Sequence, residues 1–129
     1  MTDKKSTILH VEDDRSLQAL VRIALERLGG HSVRTASECD QAVDLAREHG
    51  ADLLLLDLDL PGRDGVATLG ALREVPGLRD VPVVFLTAAA DATARSRLLA
   101  LGARAVLNKP FRPRELLRVI ERTLAGETG

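Results

Sequence analysis

Short runs of consecutive apolar residues alternate along the chain with segments whose apolar positions recur at helical spacing, and no repeat or low-complexity stretch interrupts the alternation. Thr7 to Val11 predicts a first strand. From about Arg15 to Leu28, residues Leu17, Leu20, Val21, Ala24, Leu25 and Leu28 fall on one stripe, and Gly29-Gly30 ends the helix that carries them. His31 to Thr35 predicts a weaker second strand. Ser37 is placed as the cap of a second helix with Asp40 at its third position, with Ala42, Leu45, Ala46 and His49 facing inward and Gly50 at the end. Leu53 to Leu56 is a continuous apolar run between Asp52 and Asp57, the pattern of a parallel strand covered on both faces and therefore of a sheet centre. Asp64 starts a third helix that ends near Pro76-Gly77, and Val81 to Thr87 predicts a fourth strand with Pro82 near its beginning. A fourth helix over Asp91 to Leu101, a short fifth strand over Arg104 to Asn108 and a last helix from Pro113 to about Leu124 complete the alternation.

Five β/α units joined by right-handed helical crossovers predict an α/β fold, a doubly wound five-stranded parallel sheet with helices on both faces. The domain is expected over residues 7–124, with 1–6 as an N-terminal tail and 125–129 as a tail or the start of a linker. Folds of this class bind ligands at the carboxyl ends of the strands. At those ends stand Glu12-Asp13-Asp14 after the first strand, Asp57 after the third, Thr87 after the fourth and Lys109 after the fifth.

Composition narrows the function classes. With 129 residues, 45% hydrophobic and 29% charged, the chain fits one domain around a single core. Eighteen Lys and Arg against nineteen Asp and Glu leave a net charge of -1, so no overall field draws the chain to nucleic acid or acidic lipid. The longest charge-free stretch, Val81 to Ala90, is too short to span a membrane. Met1 to Thr7 carries Lys4 and Lys5 with no following apolar block, so no secretory signal is expected and the cytoplasm is the expected compartment. Cys39 is the only cysteine, which excludes an internal disulfide, and two Phe without Trp or Tyr supply no platform for stacking bases. The charge is uneven: residues 1–90 carry 10 basic and 15 acidic side chains, net -5, whereas residues 91–129 carry 8 and 4, net +4.

Carboxylates gathered at one sheet edge repel one another, so such a site raises a pKa or recruits a cation. A hard divalent ion suits it: Mg²⁺ takes one or two carboxylates with water and phosphate completing the octahedron, which fits Asp13, Asp57 and a water held by Glu12. Lys109, the only Lys outside the N-terminal tail, and the Thr87 hydroxyl add a point charge and a donor. Together these groups describe a cradle for a phosphoryl group attacked in line by a carboxylate, with an aspartyl phosphate as product. Singly, each residue has a plainer reading. Asp57 is then a turn residue, Thr87 a β-former, Lys109 a solvated charge and Asp14 the cap of the first helix. The conjunction of all four types at the ends of four strands carries the functional reading. His10 reads as a satisfied buried imidazole, His31 and His49 as surface or core-edge residues, and Cys39 as packing.

At these residues the chain resembles the receiver domains of two-component response regulators, the CheY-like family. The matching pieces are Ile8 to Asp14, Leu53 to Gly62, Asp64-Gly65, Val83 to Ala88, Gly102-Ala103 and Lys109-Pro110-Phe111, which together cover the chain from about Thr7 to Leu124. The resemblance implies a flavodoxin-like (βα)5 fold with strand order 2-1-3-4-5. It implies that Asp57 accepts a phosphoryl group from a sensor histidine kinase or phosphotransfer protein, and that Mg²⁺ is held by Asp13, Asp57 and the backbone carbonyl of Asp59, with Glu12 acting through water. Thr87 and Lys109 would contact the phosphoryl oxygens, and the Lys109-Pro110 bond would be cis. Such a domain is not a dedicated enzyme, although it assists its own phosphorylation and dephosphorylation.

Two departures stand out. Val106 occupies the place where the family usually carries the aromatic that swings with the Thr, and Arg104-Ala105 replaces the acidic residues that serve dimer salt bridges in many receivers joined to winged-helix domains. The surface of the fourth helix, fifth strand and last helix carries Arg95, Arg97, Arg104, Arg112, Arg114, Arg118 and Arg122 against Asp91, Glu115 and Glu121. An output protein of acidic character or a homodimer contact is expected there, beside the plain reading of a solvated basic face. No direct contact with nucleic acid or membrane is expected. The rival enzyme reading rests on Leu55 to Asp59, which resembles the nucleophile motif of haloacid dehalogenase phosphatases, but no adjacent acidic pair follows Lys109. A receiver-like module that never carries phosphate would typically lose an acidic residue, the Thr or the Lys, and all are present.

Overall fold

A computed structural model describes residues 5–127. The elements are β1 (Thr7–Val11), α1 (Arg15–Arg22) continuing into a π-helical segment (Ile23–Leu28), β2 (Ser32–Ala36), α2 (Cys39–His49), β3 (Leu53–Asp57), α3 (Gly65–Arg73), β4 (Val83–Thr87), α4 (Ala92–Ala100), β5 (Ala105–Asn108) and α5 (Pro113–Leu124). The strands form one parallel sheet in the order β2-β1-β3-β4-β5. Residues 1–4 of the expected N-terminal tail and 128–129 of the expected C-terminal tail lie outside the described residues.

Every residue of β3 and β4 is buried, as a strand covered on both faces requires. Alternation divides the core. Leu9, Val11, Leu54, Leu56 and Phe85 face the layer of α2, α3 and α4. Ile8, Leu53, Leu55, Val84 and Leu86 face the layer of α1 and α5, where Val21, Leu25, Leu116 and Ile120 meet them. Fully covering one such aliphatic side chain is worth about 1.5–3 kcal/mol, so the two-sided strands β1, β3 and β4 dominate the stability of the sheet. At their carboxyl ends this rigid centre holds the acidic residues.

Local chemistry moves several boundaries. The widened π winding over Ile23–Leu28 rotates Leu28 off the buried stripe, and Leu28 is exposed rather than packed. Glu38, not Ser37, caps α2, because the Glu38 carboxylate accepts from Asp40 N–H while Ser37 N–H donates to Gln41. His49 is exposed beside Glu48 instead of facing inward. α3 stops at Arg73, capped by Glu74, ahead of Pro76. β4 begins at Val83 because the Arg73 guanidinium takes the carbonyls of Leu78, at 2.9 Å, and Val81, which removes Val81 from the ladder. β2 is displaced by one residue: His31 is buried, accepts from Ser6 N–H at Nδ1 and sits 3.3 Å from Glu121 through Nε2. Ala36 joins the strand, and its carbonyl accepts from Glu12 N–H at 2.9 Å.

Candidate functional site

The carboxyl ends of β1, β3, β4 and β5 bring the singled-out residues together. Glu12 follows β1 and is buried, Asp13 beside it is exposed, and Asp57 ends β3 as a buried carboxylate. Glu12, Asp13 and Asp57 each offer a carboxylate oxygen, and these oxygens lie within 4.8 Å of one another. Lys109, just past β5, reaches into the cluster, its Nζ 3.0 Å from Asp57 Oδ1 and 3.5 Å from Glu12 Oε1. The Lys109-Pro110 bond is cis.

The backbone secures these positions. Leu58 N–H donates to the Leu86 carbonyl at 2.8 Å, and Lys109 N–H donates to the Thr87 carbonyl at 2.8 Å, so the exits of β3, β4 and β5 are stitched together. Asp59 N–H turns back onto Asp57 Oδ1 at 3.2 Å, placing Asp59 in the turn beside the cluster. Asp14 caps α1 by accepting from Ser16 and Leu17, while its own N–H donates to Glu12 Oε2 at 3.2 Å. Gln18 adds a hydrogen bond to the Glu12 carbonyl. That contact is one turn inside α1, and only the fold shows that this face of the helix meets the end of β1. Gly65 is as constrained: a Cβ there would stand 2.5 Å from the Asp57 carbonyl oxygen, so glycine lets α3 start against the end of β3. The adjacent Asp64, whose side chain caps α3 by accepting from Ala67, is the sequence signal for that turn.

Thr87 is buried at the end of β4, but its hydroxyl accepts from Ala89 N–H at 3.1 Å, so it holds the following loop rather than Asp57. Val106 is buried in the core on the α2–α4 side, an aliphatic packing residue at the edge of the sheet.

The electrostatics follow from crowding. Burial first, and then the neighbouring Asp57 charge, push the Glu12 carboxyl up to about 7. Burial works against the Lys109 charge, yet the hydrogen bond to Asp57 and the two carboxylates outweigh it and hold the ammonium above its usual range. His10 departs from the sequence reading: it is fully buried, but among the described residues neither ring nitrogen has a hydrogen-bond partner, so the imidazole is not satisfied there. Its desolvation lowers the pKa to about 3 and keeps the ring neutral. The arrangement is chemically suited to one task. Two buried carboxylates and an exposed one offer hard oxygen ligands for a divalent cation, and a fixed ammonium on Asp57 Oδ1 marks where further negative charge would be tolerated.

The model of the response regulator receiver domain matches residues 8–121. The phosphate regulon transcriptional regulatory protein PhoB of Escherichia coli K12 is 40% identical over 114 residues, which are 88% of this chain and 49% of that protein. The transcriptional regulatory protein CpxR of the same organism is 42% identical over 117 residues, 91% of this chain and 48% of that protein. The chain thus spans about half the length of these curated relatives. Among solved structures, the non-phosphorylated HemR receiver domain of Leptospira biflexa superposes with a TM-score of 0.82 at 36% identity, covering 94% of this chain and 95% of that one. The chemotaxis protein CheY4 of Vibrio cholerae superposes with a TM-score of 0.85 at 27% identity, covering 92% and 98%. With a family model spanning nearly the whole chain and a five-stranded parallel sheet in the order β2-β1-β3-β4-β5, this protein belongs to the response regulator receiver domains of two-component systems.

Proposed function

We propose that Asp57 is the phosphoacceptor of a His-Asp phosphorelay. The observation that carries this reading is the contact of Lys109 Nζ with Asp57 Oδ1, 3.0 Å, inside a cluster of three carboxylates. A carboxylate oxygen of Asp57 attacks the phosphorus of a phosphohistidine on a sensor histidine kinase or phosphotransfer protein. The P–N bond breaks, its electron pair stays on the imidazole nitrogen, and that nitrogen takes up a proton. Lys109 is already placed to compensate the charge gathering on the phosphoryl oxygens, and the Thr87 hydroxyl, which accepts from Ala89 N–H, turns to donate its own O–H to a phosphoryl oxygen. Asp13, Asp57 and the backbone carbonyl of Asp59, with Glu12 acting through water, would hold Mg²⁺, which would supply neutralisation of charge on the phosphoryl oxygens. The protein is not a dedicated enzyme. It assists its own phosphorylation and dephosphorylation and works in the cytoplasm. No helix among the described residues is long and apolar enough to cross a membrane.

Movement of Thr87 biases the loop from Ala88 to Ala90 and, through it, a two-state surface of α4, β5 and α5. Val106 makes that response an aliphatic repacking. Two of the charges on this stretch face away from it: Arg97 lines the flank of α4 that faces α3, and Glu121 turns to His31. The remaining arginines leave the surface basic, which favours an output protein of acidic character over a homodimer through this face. The test is acetyl phosphate labelling in the presence of Mg²⁺. One acid-stable, base-labile phosphate per chain is expected, absent in Asp57→Ala; undiminished label in that variant would overturn the assignment. Sustained turnover of small phosphomonoesters would point instead to a phosphatase.

A further inference from the structure

On the sheet face covered by α2, α3 and α4 the helix layer is not closed. α3 packs against α2, and α4 rests on β5. Between α3 and α4 runs a groove of about 520 Å³ with an apolar lining that includes Leu58, Leu60, Val66, Leu98 and Leu101. Among the described residues four large apolar side chains are exposed, and two of them stand in this groove: Val66 at 36% and Leu101 at 51%.

Gly70 lies one turn beyond Val66 on the same stripe of α3. A Cβ at Gly70 would meet nothing within 4 Å, and the residue does not have a positive φ. Neither a close contact within the chain nor backbone conformation therefore accounts for a glycine in mid-helix, where it weakens the helix relative to alanine. Gly70 does not line the groove itself, but it is exposed one turn along α3 from Val66, and a bare stretch of backbone there is what lets a second helix lying over the groove approach closely. The rim is charged with both signs. Asp59 and Asp64 stand on the β3–α3 side and Arg97 on α4, and neither Asp59 nor Arg97 forms an ion pair among the described residues.

We propose that the α3–α4 groove docks an amphipathic helix of a partner protein. Its apolar stripe enters between Val66 and Leu101, a small residue crosses Gly70, a basic side chain meets Asp59 and Asp64, and an acidic one meets Arg97. A symmetric contact with a second copy fits less well, because both copies would present the same concave groove, and the exposed Ile23 and Leu28 that could fill one stand on the segment packed against α5 and β2. The groove is separate from the basic face of β5 and α5, and it opens next to the turn that follows Asp57.

A phage-displayed library of amphipathic helical peptides, selected on the full chain, tests this, with the enriched peptide carrying a fluorescent label as the probe. Enriched sequences are expected to pair an apolar i, i+4 stripe with a basic and an acidic flanking residue, and to shift backbone amides of residues 58–66 and 94–101. Leu101→Asp and Gly70→Gln, both at exposed positions, should each weaken binding by at least about tenfold. Thermal midpoints should be kept, and Gly70→Gln should raise its own. No enrichment over the unselected library, amide shifts elsewhere, or binding indifferent to both substitutions would overturn the proposal. So would a dimer in sedimentation equilibrium that Leu101→Asp dissolves, since the occupant would then be a second copy.

Discussion

Magnesium binding at the acidic cluster should release a proton, with Glu12 as its source. In the metal-free protein, burial and then the Asp57 charge hold the Glu12 carboxyl at about 7 instead of its ordinary 4.5. A divalent ion set beside Glu12, Asp13 and Asp57 favours the ionised carboxylate, so ion and proton compete. With a pKa of about 7, the competition weakens the apparent affinity about tenfold at pH 6 and hardly at all at pH 8, so Kd should fall roughly tenfold across that interval. Proton release should be about 0.9 per ion at pH 6 and about 0.1 at pH 8. Lys109 and His10 do not blur this slope: the paired Lys109 keeps its charge, and the buried His10, lowered to about 3, stays neutral. Isothermal titration calorimetry in two buffers of different ionisation enthalpy reads both quantities, which matters because the chain has no Trp or Tyr to report binding by emission. Glu12→Gln should flatten the dependence. Equal affinity at pH 6 and pH 8, or the wild-type slope retained in Glu12→Gln, would refute the linkage.

The same two buried groups should oppose each other in the pH dependence of apo stability. Glu12, raised on folding, makes stability fall as pH rises from 4.5 to 7, whereas His10, lowered on folding, loses stability as pH falls from 6.5 to 3. Urea midpoints between pH 4.5 and 6.5 should therefore drop on acidification in Glu12→Gln and rise in His10→Leu, and parallel curves for the two variants would contradict the opposition. Gly65→Ala drives a Cβ against the Asp57 carbonyl oxygen and Leu58 Cα, and should cost about 1–3 kcal/mol in urea unfolding while slowing acetyl phosphate labelling. An unchanged midpoint would mean that α3 shifts freely. Lys109→Arg should also slow labelling, because a planar fork does not fit where a compact ammonium sits between Asp57 and Glu12; a wild-type labelling rate would count against that role.

The sequence made the fold and the cluster legible for one reason. Strands buried on both faces write themselves as unbroken apolar runs, and the residue where each run stops is the residue at the sheet edge. Leu53–Leu56 ends in Asp57 and Val83–Leu86 ends in Thr87, so sheet order and polarity alone bring Glu12, Asp57, Thr87 and Lys109 to one edge. Features that depend on a neighbour's side chain had no such record. Leu28 sits where an α-helix would bury it, and only the π winding turns it outward. His10 occupies an inward strand position, but whether a buried imidazole finds a partner depends on what β2, β3 and α1 present opposite it, and here they leave both nitrogens bare.

Arg97 shows how far this limit reaches into function. Counted along the chain, it belongs to a run of arginines that a single basic surface would explain. On α4, however, Leu98 points into the core, and a step of about 100° per residue sends Arg97 to one flank and Leu99 to the other. The flank that receives Arg97 is the one where α3 stands off with Asp59, Asp64 and Val66 along its edge. The charge asymmetry between the two halves of the chain thus divides between two surfaces. A basic face built on β5 and α5 lies on one side of α4, and a mixed-charge apolar groove lies on the other. An acidic output partner that used α4 from the β5 side would leave Arg97 exposed, so charge reversal at Arg97 and at Arg118 should separate the two interactions. Arg118→Glu should weaken binding of the output protein and spare the groove, whereas Arg97→Glu should weaken the groove peptide alone. Loss of both interactions in either variant would mean that α4 presents one continuous surface.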